Sequence, residues 1–230
     1  MRFAPDSRPI PAFVFDMDGL LVNREPLGRS TMTALLRGYN HEWRPDAGRN
    51  MAGRRLPELM EVVAEAYGLT TPVAELCQAF ETQFIAAVQG QVAPLPGVHE
   101  LIAFGRASGL KLALASSGWR HYVDAILIEA GLAGAFDAEV TGEEVARGKP
   151  HPDPFLLAAA RLGVRPEQCV VFEDAPAGVE AAVAAGMHVV AIPRGSTLHA
   201  PFPRSPHAAF ASLHDAVPWL EARGVGSVKR

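Results

Sequence analysis

Apolar residues fall along this chain in short unbroken runs, separated by stretches with helical periodicity. The first run is AFVFD at residues 12–16, entered through Pro9 and Pro11. Others are KLALAS at 111–116, CVVFE at 169–173 and HVVAI at 188–192, with a weaker one at 136–141. Continuous runs of this kind suit strands buried on both faces of a parallel sheet, where no solvent side demands polar alternation. Helical patterns lie between them at 98–107, 122–130, 155–162 and 178–185, the last dominated by alanine. Strands alternating with amphipathic helices predict a doubly wound α/β sheet.

Residues 27–92 break the alternation. The pattern there is helical throughout, at 30–39, 56–67 and 73–88. In LPELMEVVAEAY, residues 56–67, apolar positions recur at helical spacing with acids on the other side. Gly68 and Pro72 punctuate the next gap, and VAPLPG at 92–97 reads as a return linker stiffened by its prolines. The simplest organisation is a Rossmann-like core, residues 1–21 and 94–230, with a small α-helical cap inserted at 22–93. Residues 193–206, rich in Pro, Ser and Arg, predict a surface loop, and a last helix at 212–223 is expected to cap the sheet edge.

Composition adds bounds. A chain of 230 residues has room for one α/β domain and a small insertion. With 49% hydrophobic and 20% charged residues it has the make-up of a soluble globular protein. A net charge of -4 offers nothing for nucleic acid or an anionic membrane to bind. Cys77 and Cys169 lie far apart, and Cys169 opens an apolar run, which favours a buried thiol over a disulfide or a metal ligand. The N-terminal MRFAPDSRPIPAFVF has no long apolar stretch for a signal or anchor, so a cytoplasmic location is expected. Lysine is scarce: Lys111, Lys149 and Lys229 are the only ones.

Four polar clusters fall at the carboxyl ends of proposed strands, where open parallel sheets bind ligands. In Asp16-Met17-Asp18-Gly19, two carboxylates converge where a buried strand stops, one able to attack phosphorus while the other handles protons. Alone, the pair also reads as solvated turn acids. Ser116-Ser117-Gly118 offers a hydroxyl and free amides before a helix, either a seat for phosphate oxygens or a simple N-cap. Lys149, between Gly148 and Pro150, is a point charge at a rigid turn, the kind of lysine that elsewhere is often only solvated; nearby His151 is the weaker candidate. Glu173-Asp174 ends an apolar strand, where unpaired buried carboxylates would be costly. With Asp16 they offer oxygen ligands to a hard cation such as magnesium; the alternative is helix capping by Asp174.

The four clusters, in this order, resemble the motifs of the haloacid-dehalogenase superfamily. FVFDMDGLLV resembles its nucleophile motif and LASSG its Ser/Thr motif. GKPHPDPF and VFEDAPAGVEAAVAAGM resemble the lysine and acidic motifs of the branch containing β-phosphoglucomutase and phosphoglycolate phosphatase. The resemblance implies that Asp16 is the nucleophile and a magnesium ligand. It makes Asp18 the general acid and base, its backbone carbonyl also touching the metal. Ser116, Ser117 and Lys149 would hold phosphate. Asp174 would bind the metal, with Glu173 a direct or water-mediated partner. The implied activity is a magnesium-dependent phosphatase of small phosphate monoesters, a sugar phosphate or similar metabolite, working through a phosphoaspartate.

Departures narrow the choice. Many relatives carry Asp-Ser-Glu-Pro-Leu-His after the first motif, whereas this chain has Asn23-Arg24-Glu25-Pro26-Leu27-Gly28. Gly28 thus stands where β-phosphoglucomutase has a cap histidine, and no lysine occurs between Asp18 and Lys111 to play that enzyme's cap lysine. A phosphomutase is therefore the alternative rather than the expectation, and a non-catalytic binding protein has no use for Asp18. Arg54 and Arg55, before the second cap helix, are candidates for a second anionic or hydroxyl-rich part of the substrate; their alternative is pairing with Glu58 or Glu61. The expected partner is a small phosphorylated metabolite, with neither nucleic acid nor membrane, and the expected state a monomer or small homo-oligomer.

Overall fold

A computed structural model describes residues 10–44 and 55–225. Its first strand, β1 (Ala12–Phe15), is buried on both sides but not alike: Phe13 and Phe15 belong to one apolar cluster, Ala12 and Val14 to another. Successive side chains of a strand face opposite ways, so this alternation of large and small sets the thickness of each layer.

Three helices follow before the next strand: α1 (Glu25–Gly38), α2 (Leu56–Tyr67) and α3 (Val73–Val88). The first starts earlier than its apolar pattern, because Pro26 sits in the first turn, where its missing N–H costs nothing. The second buries Met60, Val63 and Tyr67, one stripe of a helix, and ends on Gly68 in a left-handed conformation (φ 64°). Helices α1 and α2 both pack on α3.

The rest alternates as expected: α4 (Val98–Ala107), β2 (Lys111–Ala115), α5 (Arg120–Glu129), β3 (Ala138–Val140), α6 (Asp153–Leu162), β4 (Cys169–Glu173), α7 (Pro176–Ala184) and β5 (His188–Ala191). A two-residue β6 (Ala208–Ala209) and a short α8 (Ala216–Glu221) complete the described elements. The parallel sheet runs β3-β2-β1-β4-β5-β6. Neither β6 nor the shortness of the last helix was expected; two residues are too few to leave a periodic signal.

On one face Phe13 and Phe15 meet Phe172, with ring centroids 5.1 and 5.2 Å apart, and the cluster continues into Met60 and Phe84 of the inserted helices. On the other, Ala12, Ala113, Ala115 and Val171 meet Ala158 and Ala159 of α6 and Ala181 and Ala182 of α7. Small residues on both partners let these helices lie close to the sheet, which accounts for the alanine-rich motif. The two linkers of the helical insertion run together: Val22 bridges to Pro94, and the Leu95 N–H donates to the Leu21 carbonyl at 2.8 Å.

Candidate active site

Strand register brings three of the four clusters together, and Lys149, expected at a strand end, instead reaches them from the loop between β3 and α6. Phe15 of β1 pairs with Leu114 of β2 and Phe172 of β4, so Asp16, Ser116 and Glu173-Asp174 leave the sheet at nearly one level. β1 is where the strand order reverses, since the chain moves outward through β2 to β3 and returns to place β4 on its other side. Such switch points open a crevice at the strand ends.

Asp16 is buried and anchored by its N–H to the Phe172 carbonyl at 3.0 Å. The Lys149 ammonium lies 2.5 Å from Asp16 Oδ1 and 2.8 Å from Glu173 Oε1, with its charge 4.9 Å from the centre of the Phe155 ring. Oε2 of Glu173 accepts from the Ala175 N–H at 2.7 Å. Ser116 is buried, and its Oγ accepts from the Gly118 N–H at 3.0 Å; Ser117 follows, half-buried. Asp174 receives the Thr197 hydroxyl on Oδ2 at 3.4 Å, while its buried Oδ1 has no protein partner. Asp18 Oδ1 accepts from the Tyr122 hydroxyl at 2.6 Å and lies 2.8 Å from Arg24 Nε.

The side chains of Asp16, Lys149, Glu173 and Asp174 thus meet, with Asp18 two residues after Asp16 and Ser116-Ser117 at the neighbouring strand end, and His151 is exposed. Arg54 lies outside the described residues. Arg55 pairs with Glu58, Nε to Oε1 at 2.7 Å, and its aliphatic stem lies against Gly148, next to Lys149. Tyr122, Arg24 and Thr197 belong to no motif. Only Arg24 carried a signal, as an arginine where many relatives have serine.

Burial, with Glu173 and Asp18 nearby, pushes the Asp16 carboxyl up to about 7 although Lys149 opposes the rise. Burial likewise raises Asp174 well above the carboxylate range, helped by Glu173 and Asp16. For Lys149, burial alone would lower the ammonium, but Asp16 and Glu173 more than offset it and hold its value up. Such shifts are the signature of carboxylates crowded without enough positive charge. Asp16, Glu173 and Asp174 each offer an oxygen within 4.8 Å of the others. With the orphaned Asp174 Oδ1 beside them, this all-oxygen donor set fits a small hard cation. No helix among the described residues is long and apolar enough to cross a membrane.

Comparison with known proteins agrees with this geometry. Residues 10–186 match the family model described as haloacid dehalogenase-like hydrolase. Protein CbbY of Rhodobacter capsulatus is 32% identical over 92% of this chain and 99% of its own length. A phosphorylated carbohydrates phosphatase of Thermotoga maritima is 31% identical over 95% of this chain and 94% of its own. A crystal structure of CbbY from Rhodobacter sphaeroides in complex with xylulose-(1,5)bisphosphate superposes with a TM-score of 0.80 at 27% identity, covering 89% of this chain and 95% of that one. With acid pair, hydroxyl, lysine and acid pair gathered at one crevice and the family model matching most of its length, this chain belongs to the haloacid dehalogenase-like hydrolases.

Proposed function

We propose that the protein is a magnesium-dependent phosphatase of small phosphate monoesters, sugar phosphates first, acting through a phosphoaspartate on Asp16. One observation carries the reading: Asp16 is buried at the end of β1 with Lys149 on one oxygen and two further carboxylates within reach of a shared cation. A lysine so placed does not suit a merely structural turn. The substrate class follows the relatives, one of which is a phosphatase of phosphorylated carbohydrates.

In the first step an Asp16 oxygen attacks phosphorus, an O–P bond forms to Asp16, and the ester P–O bond breaks. Asp18 gives its proton to the departing oxygen. In the second step water attacks the phosphoaspartate, Asp18 takes the proton, and inorganic phosphate leaves with Asp16 restored. Ser116, the amides around Ser117 and Lys149 hold the transferring group, whose catalysis is largely alignment and charge neutralisation. The side chains of Asp16 and Asp174 and the Asp18 carbonyl would hold magnesium, which supplies neutralisation of the crowded carboxylates and of phosphate. Both oxygens of Glu173 already accept from Lys149 and Ala175, so Glu173 serves the metal through water and orients Lys149.

Residues 22–93 act in this reading as a cap that opens for exchange and closes to exclude water, with the paired linkers at Val22 and Pro94 as its hinge. The test is a phosphate-release screen over phosphorylated metabolites with magnesium. Asp16→Asn should fold and lose turnover, because an amide is a far poorer nucleophile. Wild-type turnover by that variant would end the covalent mechanism. Isomerised sugar phosphate through a bisphosphate, without net phosphate release, would identify a mutase instead.

A further inference from the structure

Two departures from the family pattern, Arg24 and Gly28, form one structural feature. Arg24 stands at the start of α1, and its guanidinium turns back to Asp18, with Nε 2.8 Å from Oδ1. A β-carbon at position 28 would lie 3.3 Å from Arg24 Nη1, so glycine there leaves this guanidinium its space. Tyr122, in the first turn of α5, donates its hydroxyl to the same oxygen at 2.6 Å. The triangle closes with the Arg24 guanidinium 5.7 Å from the centre of the Tyr122 ring. Gly118, in the loop that carries Ser116, makes room on the other side, since a β-carbon there would overlap that ring. Phe84 of α3 packs on the ring as well, with centroids 5.4 Å apart.

A carboxylate with one donor still turns about its side-chain torsions. A hydrogen bond from Tyr122 and an ion pair with Arg24, reaching it from separate elements fixed against each other, remove that freedom. Both hold Oδ1, which leaves Oδ2 for the proton. We propose that Arg24 and Tyr122 are positioning residues for Asp18: they anchor one of its oxygens, aim the other at the leaving group and the incoming water, and tie that aim to the seating of α1 and α3. Arg24 moves with the linker into α1 and Tyr122 with α5, so the triangle is complete only while the helical insertion is seated. The proposal rests on Asp18 being the acid and base of the reaction proposed above.

The experiment compares the best sugar phosphate from the screen with p-nitrophenyl phosphate, whose leaving group needs no proton. Single-turnover phosphoenzyme formation and steady-state rates are measured for Arg24→Ala, Arg24→Lys, Tyr122→Phe and Asp18→Asn, with thermal melting as a check on folding. Arg24→Ala and Tyr122→Phe should each lower kcat for the sugar phosphate at least about tenfold, a part of the roughly 100- to 10,000-fold that acid–base catalysis supplies. KM should hold, phosphoenzyme formation from the aryl phosphate should be nearly spared, and Arg24→Lys should recover part of the loss. Gly28→His, which crowds Arg24 without removing it, should give the same bias. Equal losses in phosphoenzyme formation from the two substrates, a raised KM with kcat intact, or no effect would overturn the proposal. If Asp18→Asn itself shows no leaving-group bias, its acid role falls and the positioning role falls with it. A biased Asp18→Asn beside unbiased Arg24 and Tyr122 variants would overturn the positioning role alone.

Discussion

Gly178 and Glu173 are fitted so closely that a β-carbon on the glycine would overlap the carboxyl group of the glutamate. Gly178 lies in the first turn of α7, directly after the strand end that carries the acids. The absent side chain is thus what lets Glu173 reach Lys149 and the Ala175 amide at once. Gly178→Ala should leave the sheet intact but push Glu173 aside and misplace Lys149. A fall in kcat/KM of about tenfold or more is expected, the scale of one lost charged hydrogen bond at roughly 1.5–3 kcal/mol. Gly38→Ala is the control: it ends α1 in open space, so it should change stability little and leave turnover alone. Comparable kcat/KM in the Gly178 variant and wild type would show that Glu173 has room to spare.

Stability should depend on pH and metal together. Asp16 titrates near 7 in the folded protein, well above an unfolded aspartate, and Asp174 is also raised. Between the unfolded value of about 4 and pH 7 the folded state therefore binds more protons, and stability falls as pH rises through that window. A divalent ion binds the charged forms and removes the penalty. In chelator, the melting temperature should carry a declining contribution from pH 4 to 7. A fixed magnesium concentration, a hundredfold over the Kd at pH 7.5, should add about 2.7 kcal/mol at that pH and less at pH 5. Melting curves with and without magnesium at the two pH values decide it; an equal shift at both would remove the metal from these carboxylates.

How much of this was legible depended on range. Strands β1, β2, β4 and β5 announce themselves because each is buried on both faces, and three of the four motif clusters sit at the ends of β1, β2 and β4; Lys149 lies instead in the loop between β3 and α6. The helical insertion was legible from its period, though Pro26 was a better marker of where α1 starts than the apolar stripe. By contrast, β6 is two residues long and pairs only with Val190 and Ala191. The Tyr122–Asp18 bond joins residues 104 positions apart, with no motif around the tyrosine. Arg55 read equally well as a substrate contact or a partner of Glu58. Only the fold shows that it pairs with Glu58 while lying beside Gly148.

The edge of the sheet should be acid-labile. The Val189 N–H donates to His207 Nδ1 at 3.0 Å, and the His207 N–H donates to the Val189 carbonyl at 2.8 Å. That first bond needs the Nδ1 lone pair, hence a neutral ring. The His188 ring stands edge-on to it, with centroids 5.1 Å apart. Burial first, and then His207, pushes His188 down to about 4; burial lowers His207 as well. The unfolded chain binds protons at these sites below about pH 6.5 while the folded one resists, so stability is lost as pH falls from 6.5 towards 4. Asp16 and Asp174 act in the opposite sense over this window, so the reading is a difference: from pH 7 to pH 5, His188→Gln should lose less, or gain more, stability to urea than the wild type. An unchanged pH slope in the variant would clear this pair.

Substrate size should be read at the wall between α2 and the core. A cavity of about 420 Å³ is lined by Arg55, Pro57, Trp119, Gly142 and Glu143. Trp119 follows the Ser116-Ser117-Gly118 loop, and the Arg55 stem lies against Gly148, next to Lys149, so two of the cavity's lining residues adjoin the segments that carry the proposed phosphate seat. Its polar groups are already engaged in part: Arg55 with Glu58, and Glu143 with the Arg120 N–H at 3.3 Å. What remains is an indole and a proline rim with a cation and an acid at the margins, which suits the carbon skeleton and hydroxyls of a sugar phosphate. Trp119→Ala should raise KM for the preferred metabolite, and Arg55→Ala should lower its kcat/KM roughly tenfold, the scale of a lost charged hydrogen bond. Both should affect p-nitrophenyl phosphate less, since it offers no hydroxyls or second anionic group to these residues. Arg55→Ala also frees Glu58, so Glu58→Gln is the control: if it reproduces the Arg55 effect, Arg55 serves the helix start and not the substrate. Equal effects on both substrates would assign the cavity to folding alone.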